Sequence, residues 1–561
     1  MRKLLISINL FCFIFAYISS DATGKNGVVV SSKIPASQIG IDVLKKGGNA
    51  IDAAVAVAFA LSVTHPSAGN LGGGGFAVIR FSDGKSTTID FREVAPKASS
   101  STMFLDDKGN VIEGLSKFSG LSSGVPGTVS GLGYMHSKYG TLDWDELILP
   151  SIMLARYGFN LDAHNVSILN NFSLKNKLSN CNNSKKIFVK VEDFEVNELF
   201  VQEDLSKTLQ RLSIFGHEEF YNGITADNIL ETIKSNNGII SHEDLRNYKP
   251  IEASPIIFDY KGFNVISMPP SSSGGLTLAL ILNQFENLDL SSILFHDASH
   301  VHYLSEVERR AYVDRHKYLG DMSFVNIPID KLLSQNYADS LFNSISDSHA
   351  TNSSDLYSSD IVFDNESTET THISIIDSFG NCVSLTTTLN GWFGNGITVK
   401  DSGFLLNNEM DDFSIKPGHP NMYGLIGSKA NNIQPGKRML SSMTPTIVVN
   451  SNNEPYLVLG SPGGSTIITT IAQIIINSID FEMEIKDAVE SKRFHHQWIP
   501  DLIQLEKHSI SSAVINKLVN MNHNYIYRSD IGIGEANCIM VKNNTFHGSS
   551  DSRRGSSALA Y

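Results

Sequence analysis

The feature that most constrains how this 561-residue chain can fold is an abrupt change of texture at Thr370. From Ser344 to Glu369 the sequence is dominated by Ser, Asp, Asn and Thr, with little apolar material to bury, so it reads as a solvated connection. Directly afterwards Ile373 and Ile375 alternate with polar residues, Ser378-Phe379-Gly380-Asn381 supplies turn chemistry, and Cys382 to Asn390 runs back as a second strand. A hairpin thus begins at a threonine, and the junction suggests a nucleophile made by cutting the chain. A threonine hydroxyl needs a base within hydrogen-bond reach. A threonine at a chain start carries one, because an α-amino group with a pKa of about 7.7 to 8.0 is partly neutral near pH 7. Taken alone, the stretch fits better an ordinary β-branched residue in a threonine-rich hairpin.

With 41% hydrophobic residues the chain can bury a large core, and no composition break or repeat marks a domain boundary. A formal charge of -14, with no run of Lys and Arg interleaved with aromatics, argues against nucleic-acid binding. Arg2 and Lys3, an apolar run from Leu4 to Ile18, and the small Ser19 and Ser20 read as a secretory signal over residues 1–20. The run falls short of the roughly 20 apolar residues of a spanning helix, so no permanent membrane anchor is expected. Beyond it, Cys181, Cys382 and Cys538 give neither metal spacing nor a disulfide framework.

Ile39 to Lys46 reads as a helix closed by Gly47-Gly48, and Asn49 as the cap of a second, Ala-rich helix running to Val63. That helix is apolar nearly all round, so it should be buried. The glycine cluster Gly72 to Gly75 lacks the spacing of a phosphate or dinucleotide loop and reads as close backbone packing before a strand from Phe76 to Phe81. Pro126 suits the first position of a helix, and Thr141 to Tyr157, Gly275 to Phe285 and Val301 to Leu319 have helical patterns. Thr446 to Leu459 and Asn537 to Val541 read as strands. The alternation suits stacked layers of both kinds.

Eight motifs then extend the match nearly end to end. They are Asn70-Leu71-Gly72-Gly73-Gly74-Gly75-Phe76, Asp90-Phe91-Arg92-Glu93, Ser123-Gly124-Val125-Pro126-Gly127 and Met268-Pro269-Pro270-Ser271-Ser272-Ser273-Gly274-Gly275. The others are Thr370-Thr371-His372, Leu406-Asn407-Asn408-Glu409-Met410-Asp411-Asp412-Phe413-Ser414, Lys437-Arg438-Met439-Leu440-Ser441-Ser442-Met443-Thr444-Pro445-Thr446 and Gly460-Ser461-Pro462-Gly463-Gly464-Ser465. In these the chain resembles the γ-glutamyltransferases (γ-glutamyl transpeptidases, glutathione hydrolases) of the N-terminal nucleophile hydrolase superfamily. The resemblance implies an α/β (α+β) fold, a four-layer αββα sandwich built from two autoproteolytic subunits with one shared core.

The resemblance also implies scission between Glu369 and Thr370, giving a large subunit 21–369, ending in the polar linker 344–369, and a small subunit 370–561. Thr370 becomes the nucleophile of both processing and catalysis. Thr388 matches the threonine whose hydroxyl contacts it, and Asn390 a nearby substrate contact. Arg92 is the candidate for the substrate α-carboxylate, which a guanidinium fork pairs in bidentate fashion, with Ser441 and Ser442 adding donors. Glu409 and Asp412 would hold the α-ammonium, although Asp411 is chemically indistinguishable from its neighbour in sequence. Gly463 and Gly464 match the pair whose amides form the oxyanion hole. The stretch between Asp412 and Ser441, with Tyr423, resembles a lid loop.

The implied activity takes the γ-glutamyl group of glutathione or a related donor onto Thr370 as an ester. Water, or an amino acid or dipeptide acceptor, then removes it. No metal or organic cofactor is called for, and a periplasmic or secreted location is expected. Two alternatives are another N-terminal nucleophile amidase of the cephalosporin or glutaryl acylase kind, and an unprocessed secreted binding protein. The acids Glu409 and Asp412 argue against the first. Retention of Thr370, Thr388, Asn390 and the Gly463-Gly464 pair argues against the second.

Overall fold

A computed structural model of the chain describes residues 20–357, 370–528 and 532–561. The expected leader, apart from Ser20, and Glu369 lie outside the described residues. Strand alternation explains the architecture. In the strand Gly27–Ser31, Val28 and Val30 face one side and join Val78, Ile376, Ile447, Val458 and Ile539 in an apolar seam. Val29, between them, faces the other side and joins a helical core. Each sheet is therefore apolar on both faces, one against the other sheet and one against helices.

Among the described residues fourteen strands make the two large sheets: β1 Asp21–Gly24, β2 Gly27–Ser31, β3 Gly74–Arg80, β4 Ser86–Asp90, β5 Ile251–Ala253, β6 Ile256–Tyr260, β7 Phe263–Ser267, β8 Thr371–Asp377, β9 Cys382–Thr388, β10 Thr446–Val449, β11 Pro455–Gly460, β12 Asn537–Lys542, β13 Thr545–Ser550 and β14 Ser557–Ala560. One sheet has the order β14-β2-β8-β9-β3-β4-β5 and the other β1-β13-β12-β11-β10-β7-β6, with every neighbouring pair antiparallel. Helices α1 (Ile34–Lys45), α2 (Ala50–Thr64), α3 (Thr128–Tyr139) and α4 (Trp144–Tyr157) pack on the outer face of the first sheet, against Ile79, Ile373, Ile375 and Leu385. Helices α5 (Gly274–Phe285), α6 (Ala298–Tyr318) and α7 (Ile467–Ile479) cover the second, against Val265, Val448, Leu457 and Met540. The result is the four-layer αββα sandwich. No helix among the described residues is long and apolar enough to cross a membrane.

Several expectations hold in detail. Asn49 caps α2 through a reciprocal box with Asp52, and every residue of that helix is buried. The glycine cluster serves close packing, since a Cβ on Gly73 would lie 2.0 Å from the carbonyl oxygen of Thr388. Others shift. The first helix begins at Ile34, with Pro35 in its opening turn, and Thr446 to Leu459 is two strands with a turn between. Pro126 does not start a helix: α3 begins at Thr128, because the Tyr221 hydroxyl donates to the carbonyl of Pro126 at 3.0 Å and accepts the amide of Ser130 at 3.1 Å, the two groups that an earlier start would join. The linker is also less solvated at its start than its composition suggests. Thr351 and Ser353 donate to buried Glu306 and to the carbonyl of Trp498, and the Ser353 amide donates to Asp501.

Candidate active site

The hairpin β8–β9 sits in the middle of its sheet, with Thr371 opposite Thr387, so the register places Thr370 opposite Thr388 at the open end. Thr370, His372 and Ser374 face the inter-sheet layer together with Thr388, Thr386 and Ser384. This end of the layer is polar and locked by hydrogen bonds. His372 bonds Thr386 Oγ1 at 2.8 Å and Ser374 Oγ at 3.0 Å, Ser374 donates to the carbonyl of Asn537, and Ser384 to that of Leu459. Burial lowers the pKa of His372 to about 3, so its ring is neutral and braces the hairpin without adding charge, while Ser374 and Ser384 tie it to the other sheet. Thr370 and Thr388 are both buried and line one small cavity.

The same cavity is lined by Arg92, Asn390, Glu409, Asp412, Ser441, Ser442 and Gly464. Arg92 follows β4 and is fully buried. Its Nη2 lies 2.5 Å from Asp412 Oδ2, its Nη1 2.6 Å from Glu409 Oε2 and 3.5 Å from Glu93 Oε2. Burial opposes its charge, but the carboxylates of Glu409, Glu93 and Asp412 prevail and hold its pKa above the ordinary arginine range. For the acids, burial dominates and Arg92 only partly offsets it. Glu409 is pushed well above the usual carboxylate range, Glu93 up to about 8 and Asp412 up to about 6. One guanidinium thus serves three carboxyls. The Glu409 contact is an ion pair rather than an aligned hydrogen bond, leaving both its oxygens with unused acceptor capacity. The excess of carboxyls beside Glu409 and Asp412 leaves room for a ligand's cationic group.

The two aspartates indistinguishable in sequence part company here. Asp412 turns to Arg92, whereas Asp411 accepts from Ser116 Oγ at 2.6 Å and from the amide of Met422 at 2.8 Å. Ser441 Oγ accepts from the amide of Met443, and Ser442 Oγ accepts from Arg315. Asn390, at φ 75°, donates its side chain to the carbonyl of Asn408, while its amide donates to Thr388 Oγ1 at 2.8 Å.

The segment after Asp412 folds back over the cavity. Tyr423 donates its hydroxyl to the carbonyl of Asn390 at 2.6 Å, and its ring lies so close to Gly464 that a Cβ there would meet it at 2.3 Å. Gly464 also has φ 58°, a conformation that glycine adopts without strain. Among the described residues no hydrogen bond uses the amides of Gly463 or Gly464. Sequence reasoning missed Arg315 of α6, which lines the cavity and donates to Ser273 Oγ at 2.9 Å and Ser442 Oγ at 3.0 Å. No sequence signal marked it, since α6 carries other charged residues, Arg309 and Arg310 among them. It also missed Asn421, whose importance depends on how the loop folds.

The family model for gamma-glutamyltranspeptidase matches residues 36–561. A glutathione hydrolase proenzyme of Escherichia coli (strain K12) is 47% identical over 484 residues, covering 86% of this chain and 83% of its own. One from Pseudomonas sp. (strain A14) is 43% identical over 572 residues, covering 100% and 99%. Among solved structures, the γ-glutamyltranspeptidase of Helicobacter pylori matches 57% of this chain and 92% of its own at 44% identity, with a TM-score of 0.56. Cephalosporin acylase from Bacillus halodurans covers 99% of both chains with a TM-score of 0.82 at 23% identity, a likeness of fold alone. A family model spanning nearly the whole chain, and relatives matched over most of their length, show that the chain belongs to the gamma-glutamyltranspeptidase family.

Proposed function

We propose that this protein is a self-processing γ-glutamyltransferase acting on glutathione and related γ-glutamyl compounds. The observation that carries the reading is the meeting of Thr370 and Thr388 with Arg92, Glu409 and Asp412 around one cavity. An α-amino acid end needs both signs of charge, and a γ-carbonyl must then reach the hydroxyl. In the precursor, Thr370 Oγ attacks the carbonyl carbon of Glu369, the peptide becomes an ester, and water releases Glu369 as a carboxylate and Thr370 as a free amine. Cleavage therefore creates the base. In turnover, the Thr370 hydroxyl attacks the γ-amide carbonyl and its proton passes by way of the α-amine to the departing amine. The amides of Gly463 and Gly464 stabilise the oxyanion. Arg92, Ser441 and Ser442 hold the α-carboxylate, Glu409 and Asp412 the α-ammonium, and Asn390 an adjoining part of the donor. Water completes hydrolysis, and an amino acid or dipeptide completes transfer.

Tyr423 closes the cavity as a lid residue, and the two subunits, 21–369 and 370–561, stay together as a heterodimer. Residues 1–20 are read as an export signal cleaved near Ser20, for a periplasmic or secreted enzyme. The test compares wild type with Thr370→Ala on a denaturing gel, sequences the start of the smaller fragment, and follows amine release from γ-glutamyl-p-nitroanilide with and without an added dipeptide. Wild type should yield a fragment beginning at Thr370 and turn over, while the variant stays whole and inactive. An active enzyme that remains one intact chain overturns the proposal.

A further inference from the structure

Asp412 has two oxygens, and each is committed to a different element. Oδ2 meets Arg92 Nη2, and Oδ1 accepts from Asn421 Nδ2 at 3.0 Å. The opposite end of the Asn421 side chain is also engaged, because its Oδ1 accepts the amides of Tyr423 at 3.0 Å and Leu425 at 3.1 Å. The turn is closed by two backbone bonds, Asn421 to the carbonyl of Leu425 and Gly424 to that of Asn421, both at 3.0 Å. Asn421 is 7% exposed and follows two prolines, so it is neither a solvated loop residue nor free to rotate. One buried amide thus joins a carboxylate of the charged pocket to the turn that presents Tyr423 over Gly464.

A carboxylate that pairs with an ammonium needs its second oxygen satisfied, or burial neutralises it. It also needs a fixed rotamer, or it collapses wholly onto the guanidinium beside it. The Asn421 amide supplies both. We propose that Asn421 is a specificity-determining positioning residue: it holds Asp412 in the orientation that reads the donor's α-ammonium and ties that reading to the lid tyrosine. The inference rests on the γ-glutamyl reading above.

L-Glutamate and glutarate differ only in the ammonium, so the ratio of their dissociation constants isolates this function. The experiment measures that ratio by calorimetry on the self-cleaved full chain for wild type, Asn421→Ala, Asn421→Ser and Tyr423→Phe. Serine keeps a short acceptor for the Tyr423 amide but does not reach Asp412, and self-cleavage reports an intact core. The preference of wild type for L-glutamate should fall about tenfold in both Asn421 variants, the scale of one hydrogen bond to a charged group. It should be kept in Tyr423→Phe, which gives up the lid's bond to Asn390 but leaves the Asn421 side chain in place. An unchanged ratio in Asn421→Ser, or an equal loss in Tyr423→Phe, overturns the proposal, as does a wild type without preference. Failure of the functional reading shows separately, as a wild type that releases no amine from γ-glutamyl-p-nitroanilide.

Discussion

At the scale of single residues, two adjacent aspartates show how environment divides identical chemistry. Asp411 is spent on the Ser116 hydroxyl and the Met422 amide, while Asp412 faces the cavity beside Arg92. Burial raises Asp412 from the ordinary carboxylate range to about 6, with Arg92 opposing. A carboxyl must be ionised to hold an ammonium, so a raised pKa means that this capacity is lost at a higher pH than for an exposed aspartate. Burial raises Glu409 further and so sets an earlier loss; the Asp412 step in the profile of kcat/KM, which reports the free enzyme, should follow as pH drops through about 6. The kcat profile should hold to lower pH, because a bound ammonium favours the carboxylate. Asp412→Asn should remove that acid limb and cut kcat/KM by roughly 100-fold, the scale of losing one partner of a buried charge pair. An acid limb persisting unchanged in the variant assigns the titration elsewhere.

At the scale of elements, the β8–β9 hairpin is anchored at the end remote from Thr370. Asp377 accepts the amides of Phe379 and Asn381 at its Oδ1, and the amide of Ala50 and the side chain of Asn381 at its Oδ2. One side chain therefore closes the hairpin turn and satisfies an orphan donor at the start of α2. Asp377→Ala should destabilise the protein by about 2 to 3 kcal/mol, since it leaves the buried amide of Ala50 unmet and frees the hairpin turn. Turnover per folded molecule should change little; a lower urea midpoint with unchanged specific activity checks both halves. Locally encoded elements such as α2 were legible, because Asn49 and Asp52 lie three residues apart and the apolar surface is continuous. The charged pocket was legible only through its motifs, since Arg92 meets Glu409 and Asp412 across more than 300 residues of chain. Pro126 misled for the same reason: its carbonyl and the amide of Ser130 are claimed by the hydroxyl of Tyr221, from a distant part of the chain. Arg315 and Asn421 carry no sequence signal of their own, because a buried arginine on a long helix and an asparagine in a proline-rich loop gain meaning only from what they face.

At the scale of the whole molecule, the proposed cut ahead of Thr370 passes through an interleaved core. In one sheet β2 lies between β14 and β8, and β3 pairs with β9, so strands from before and after the cut alternate. In the other, β1 pairs with β13 and β7 with β10. Neither piece owns a complete sheet, and separating them would bare strand edges and the apolar seam in which Val28, Val78, Ile376 and Ile539 meet. The cleaved protein should therefore elute from gel filtration as one species that resolves into two bands only under denaturing conditions. Urea should unfold both pieces in a single transition, because each supplies the other's neighbouring strands. Residues 370–561 expressed alone should not fold, since β8 and β9 would lack β2 and β3 on their outer edges. Pieces that part in native buffer, or an isolated small fragment with a cooperative melt, would contradict this account of what binds the two together.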